Sequence, residues 1–141
     1  MTLWDVNIWV YAFRGDSPLH DQAHGLVADA VERGSPYLFY PFVAASFLRL
    51  VTNSRIFREP SEPAEAWRFV DHLESAQGAH GVSFDRQAHA LFRHLGLTTN
   101  AAANAVPDAM LAAAAMRYDA ELVTADDGFR KYTGLKLRVI G

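Results

Sequence analysis

Leu3-Trp4-Asp5-Val6-Asn7-Ile8-Trp9-Val10-Tyr11 stands at the head of the chain and decides how the rest is read. Its apolar residues Leu3, Trp4, Val6, Ile8, Val10 and Tyr11 form a short run rich in β-branched and aromatic side chains, the pattern of a buried strand. One acid, Asp5, lies near the predicted exit of that strand. Next, Leu19, Ala23, Leu26, Val27, Ala30 and Val31 recur at helical spacing and stop at Gly34. A buried strand feeding an amphipathic helix calls for a layered α/β fold.

The alternation continues outward from this unit. Tyr37 to Tyr40 reads as a second strand, and Pro41 opens a helix whose apolar positions Val43, Phe47, Leu50 and Val51 end near Asn53. Pro63 starts another helix, with Trp67, Val70 and Leu73 predicted on one face. Ala79 to Phe84 reads as a strand; Asp85 is placed to cap a helix through Ala88, Leu91, Phe92 and Leu95, closed by Gly96. Pro107 begins a helix, Asp108 to Arg117, that is apolar almost all round and so buried on more than one face. Glu121 to Thr124 is a strand, and Leu135, Leu137 and Val139 alternate in a last one. The expectation is a single-domain α/β/α sandwich over residues 1–141, with a mainly parallel sheet and right-handed crossovers. Trp4, Trp9 and Trp67, with most of the Phe residues, fall on apolar stripes and are read as core rather than as base-stacking platforms.

Composition agrees with one globular unit: 141 residues, 50% hydrophobic and 21% charged. The run from Gly34 to Leu48 carries no charge, but Pro36 and Pro41 interrupt it and it is too short to span a membrane. With no cysteine and with Asp5 where a secretory leader would begin, the expected compartment is the cytoplasm. Thirteen Lys and Arg against sixteen Asp and Glu, a net charge of -3, exclude a broadly basic surface. Arg55, Arg58, Arg130, Lys131, Lys136 and Arg138 are either a local basic rim or ordinary solvated charges.

In an open parallel sheet ligands bind outside the carboxyl ends of the strands, so acids at those exits carry weight. Asp5 is one; Asp126 and Asp127 follow the strand Glu121 to Thr124, and Asp108 lies in the first turn of the apolar helix. Each alone fits a turn or helix N-terminus, where a carboxylate meets free backbone N–H groups. Together they crowd like charge into one cleft and call for a cation, and oxygen-only ligands suit Mg2+ or Mn2+ rather than zinc. Alternation past Thr124 sets Asp126 on its side of the chain and Asp127 on the other, where Asp127 is expected to cap the turn at Gly128. His20 and His24 share a helix face, but no third ligand accompanies them in sequence, and they read as a solvated face.

With these residues in view, the chain resembles a PIN-domain ribonuclease of the VapC toxin type. The likeness rests on the opening Leu3 to Ala12 with its Asp-x-Asn core, and on Phe47-Leu48-Arg49-Leu50-Val51-Thr52-Asn53, similar to the F-L-R-x-x-T-N helix of a branch abundant in mycobacteria. It extends to Pro107-Asp108-Ala109-Met110-Leu111-Ala112-Ala113 and to Leu122-Val123-Thr124-Ala125-Asp126-Asp127-Gly128-Phe129, similar to the D-A-x-L-A-A helix and T-x-D-x-x-F loop. The resemblance implies that Asp5, Asp108 and Asp126 are the catalytic, metal-binding acids, supported by Asn7, Ser46 and Thr124, with Mg2+ or Mn2+ as cofactor. It further implies an RNA substrate, a VapB-type antitoxin as partner and a homodimer. Ser46 is a departure, because many PIN domains carry a Glu there.

Arg49, Thr52 and Asn53 lie together at the end of their helix, and Arg offers a planar fork to phosphate oxygens; Arg49 equally suits a helix surface. Three other readings compete. A haloacid-dehalogenase-type phosphatase wants a second Asp where this chain has Asn7, and a response-regulator receiver wants an acid pair where it has Asp5 alone. A catalytically weak PIN-like module that only binds RNA or a partner is kept in view by Ser46.

Overall fold

The computed structural model describes all 141 residues. The first strand is shorter than the sequence suggests: β1 is Thr2–Trp4, and Val6–Phe13 is a helix, α1. Asp5 makes the difference. Its backbone is extended (φ -61°, ψ 156°) and its Oδ1 accepts the Val6 N–H at 2.6 Å, so it caps α1 rather than continuing the strand. The apolar residues that read as one strand split between two elements, with Ile8, Trp9 and Ala12 forming the buried stripe of the helix.

The remaining elements are α2 (His20–Arg33), β2 (Tyr37–Phe39), α3 (Pro41–Val51), α4 (Pro63–Ser75), β3 (Ala79–Gly81), α5 (Arg86–Thr98), α6 (Ala105–Arg117), β4 (Glu121–Thr124) and β5 (Leu137–Val139), with a 3-10 turn at Asp127–Lys131. Several boundaries differ from the sequence reading: β2 ends at Phe39 rather than Tyr40, and β5 begins at Leu137 rather than Leu135. The helix expected to close at Gly96 runs to Thr98, where the Thr98 and Thr99 hydroxyls bond back to the carbonyls of His94 and Leu95. The helix expected to open at Pro107 opens at Ala105; Pro107 sits in its first turn, where the absent N–H costs nothing. β3 stops at Gly81 rather than Phe84.

The five strands pair in the order β3-β2-β1-β4-β5, every pair parallel. The chain moves from β1 outward to β2 and β3, then returns to lay β4 on the other side of β1. The sheet therefore reverses its winding between β1 and β4, the position where an open α/β sheet leaves a crevice at its carboxyl edge. Asp5 follows β1 and Asp126 follows β4 by two residues, so topology delivers both acids to that crevice.

Around the sheet, α1 packs on α2 and α3, and α5 packs on α6. Phe47 is fully buried and joins three aromatic neighbours, with ring centroids 5.7 Å from Trp9, 5.3 Å from Phe13 and 5.1 Å from Phe69. Trp67 lies outside this core at 53% exposure, because the buried stripe of α4 is Ala66, Val70 and Leu73 and Trp67 sits a quarter turn off it. Gly34 takes the left-handed conformation (φ 66°) that closes α2. Phe47→Ala should lower the unfolding free energy by about 3–5 kcal/mol, read from a urea titration, since it empties the centre of this aromatic group.

Candidate active site

Asp5 is the most buried acid of the chain, at 7% exposure. Its Oδ2 accepts the Thr124 hydroxyl at 2.6 Å and the Asn7 side-chain amide at 3.1 Å, while Oδ1 is held by Val6 N–H. Asn7 also reaches Thr124 Oγ1 at 3.3 Å and accepts the Ala125 N–H on its own Oδ1. Because Asn7 belongs to the first turn of α1, its side chain points back at β4 and ties the β1–α1 junction to the chain leaving β4. Thr124, fully buried, receives the Asp126 N–H at 3.1 Å, which orients the next acid.

Asp5 and Asp108 line one cavity of about 270 Å3, together with Ser46 of α3. Burial pushes the Asp5 carboxyl up from its ordinary 3.8 to about 6, against the lowering effect of Thr124 and Val6, and the charges of Asp108 and Asp126 add to the rise. Asp108, half-buried, is also raised, first by burial and then by Asp126, while the Lys131 ammonium pulls it down. Asp126 is thus close enough to act electrically on both partners. Its Oδ1 accepts the Gly128 N–H at 2.8 Å, so the turn is capped by Asp126. Asp127, expected in that role, is exposed and pairs with Arg130 at 2.9 Å instead.

One neighbour, Tyr132, escaped the sequence reading, and another, Lys131, was read only as part of a possible basic rim. The buried Tyr132 phenol is raised by burial and then by Asp108 and Asp126, which places it beside the acids; Lys131 supplies the cation facing Asp108. Both lie in the 3-10 turn or just after it, where no periodicity marks a residue's direction. The remaining phosphate-binding candidates stand elsewhere. Arg49 is exposed, two turns along α3 from Phe42. Thr52 bonds back to the Leu48 carbonyl and Asn53 accepts the Arg55 N–H, so both serve to end the helix, and none of the three lines the acid cavity. Of the expected basic rim, Arg130, Lys136 and Arg138 are paired with Asp127, Asp119 and Glu121.

The donor set fits a hard divalent cation. The acid cavity offers carboxylate and hydroxyl oxygens and no thiol or imidazole, and no Lys or Arg side chain is hydrogen-bonded to Asp5 or Asp108. A carboxylate held in place by three donors yet still raised by burial is one whose charge the protein alone does not balance. No group of three His, Asp or Glu side chains already converges on a single point, so the acids form an open arrangement rather than a closed cage.

The PIN domain family model matches residues 2–135. The chain is 37% identical over 134 residues to VapC ribonuclease Mb2897 of Mycobacterium bovis, covering 95% of this chain and 91% of that protein. It is 35% identical over 137 residues to ribonuclease VapC31 of Mycobacterium tuberculosis, covering 96% of each. Among solved structures it matches a chain of VapBC2 from Rickettsia felis bound to a DNA fragment from their promoter, with TM-score 0.72 and 17% identity over 98% of this chain and 97% of that one. A toxin-antitoxin complex from Klebsiella pneumoniae matches with TM-score 0.66 and 15% identity over 99% and 97%. With an acidic crevice at the switch point of a five-stranded parallel sheet, and a family model that matches nearly its whole length, this chain belongs to the PIN domain family, and it is similar over at least 95% of its length to VapC ribonucleases.

Both raised acids take up protons more readily in the native protein than in the unfolded chain. In metal-free protein, stability is therefore fully present at low pH and falls as pH rises from about 4 through the Asp5 value of about 6. The melting temperature of wild type in EDTA, relative to Asp5→Asn, should drop across this window; a constant difference would show that the Asp5 charge is not strained.

Proposed function

We propose that the chain is a divalent-metal-dependent endoribonuclease acting as the toxin of a VapBC-type pair in the cytoplasm, with Asp5, Asp108 and Asp126 as its catalytic acids. The observation that carries this reading is the desolvated Asp5 carboxylate facing Asp108 in one cavity, under the charge of Asp126, in a chain that matches VapC ribonucleases over nearly its whole length. No helix is long and apolar enough to cross a membrane.

Mg2+ or Mn2+, when bound, would lower the pKa of a water and draw charge from a phosphate oxygen. The chain's own residues account for the rest. Asp5 and Asp108 would be direct ligands, Asp5 fixed by Thr124 and Asn7 so that it need not reorganise on loading. Asp126, exposed and tied to the turn through one oxygen, keeps the other free to take a proton from the attacking water or to hold it in line. Ser46 presents a neutral hydroxyl to the same cavity. Lys131 supplies positive charge near Asp108, suited to a phosphate oxygen, and Arg49, Thr52 and Asn53, which do not line the acid cavity, would meet the RNA backbone away from the acids.

The solved relatives are named as VapBC or toxin-antitoxin complexes, which supports a VapB-type antitoxin as partner here. An antitoxin Arg would complement the raised carboxylates by charge-assisted hydrogen bonds. A homodimer belongs to the same reading.

RNA cleavage in Mg2+ or Mn2+ should stop on addition of EDTA and fall by several orders of magnitude in Asp5→Asn and Asp108→Asn. Asp126→Asn should lose cleavage in a folded protein, whereas Asp127→Asn, which breaks only an exposed ion pair, should keep most of it. Cleavage undiminished by EDTA, or Asp127→Asn more damaging than Asp126→Asn, would overturn the assignment. Metal at a hundred times its dissociation constant should add about 2.7 kcal/mol of stability, read as a rise in melting temperature that Asp5→Asn lacks.

A further inference from the structure

A second cavity, of about 510 Å3, opens beyond the ends of β2 and β3, on the carboxyl edge of the sheet that carries Asp5. It shares two walls, Phe42 and Met110, with the acid cavity. The two therefore form one cleft across neighbouring strands, acidic outside β1 and β4 and aromatic outside β2 and β3.

The aromatic half is rigid. Phe42 and Phe84 meet edge to face at 6.0 Å and 88°; Tyr40 backs Phe42 at 5.2 Å and Phe92 backs Phe84 at 6.2 Å. The Tyr40 hydroxyl donates to the Ala114 carbonyl in the interior and is not available to a ligand. Hydrogen-bonding side chains thus stand only at the rim, as Ser83 and Glu74, and Glu74 has no ion-pair partner. An occupant must be flat and apolar on its faces, polar along one edge, and attached to whatever the acids hold.

We infer that this cavity receives an unpaired base of the RNA, adjacent to the cleaved phosphate, stacked on the Phe84 ring with Phe42, at right angles to it, as a side wall, and read at its edge by Glu74. The inference rests on the ribonuclease reading above. Stacking on an aromatic face accepts any base, so selectivity falls to the rim. An ionised Glu is acceptor-only and takes hydrogen bonds from amino and ring N–H groups. Guanine, with two such donors side by side, fits it best; uracil, which turns carbonyl oxygens to that edge, fits it worst.

Cleavage-site mapping on a random single-stranded RNA pool with Mn2+ tests this. Wild type should show guanine enriched, and uracil depleted, at one position beside the cut. Glu74→Gln, at an exposed position where folding is not at stake, should flatten that preference. Phe84→Leu, which keeps apolar volume but not a stacking face, should raise KM about tenfold while changing kcat far less. Unchanged base preference and KM in both variants, with wild type cleaving, would overturn the subsite and leave the ribonuclease reading intact. Phe84→Leu that shifts the oligomeric state and leaves KM alone would instead assign this face to a second copy of the chain. Wild type that cleaves nothing would overturn both readings.

Discussion

The structure turns on one carboxylate that is asked to be charged where water is scarce. Asp5 ends β1, caps α1 and faces the crevice, and each of these places it deeper than an acid is ordinarily found. Three donors meet it, yet burial still outweighs them and the carboxyl is displaced toward its neutral form. The imbalance is useful only if something positive completes it. A fold that merely needed a helix cap at this position would be served by Ser, Thr or Asn at no electrostatic cost.

The surroundings of Asp5 divide their duties accordingly. Thr124 and Asn7 bridge β1 and α1 to β4, so the two strands flanking the crevice cannot shift independently of the acid. Away from the crevice, charge is matched locally: Arg117 grips Asp85 with a two-pronged contact joining α6 to the start of α5, and Arg14 holds Asp16, the Glu59 carbonyl and Ser61 beyond the end of α1. Asp5, Asp108 and Asp126, gathered at the crevice, have no ion-pair partner.

Much of this was legible in the sequence. The apolar stripes, Pro at helix starts and Asp85 as a cap gave the α/β alternation, and the acids at strand exits pointed to the crevice. The misread strand at residues 3–11 shows where periodicity fails, because a short strand running into a buried helix presents one unbroken apolar run, and only the capping role of Asp5 divides it. Asp126 takes the capping part expected of Asp127 as well as its own, because a carboxylate can cap and still lie beside other acids, a combination that side-chain alternation does not describe. Tyr132, and the nearness of Lys131 to Asp108, were out of reach for a similar reason: both residues leave an irregular turn whose direction is set by packing.

The neutral residue at position 46 follows from the same charge balance. Asp5, Asp108 and Asp126 bring three negative charges to the crevice, and Lys131 is the cation that acts on Asp108. A divalent ion together with the Lys131 ammonium matches three carboxylates. A fourth acid on α3, facing the cavity where Ser46 does, would add negative charge beside the already raised Asp5 and call for more positive charge to balance it. Under the proposed function, Ser46 would keep an oxygen in the lining for a hard cation's waters without adding to that charge.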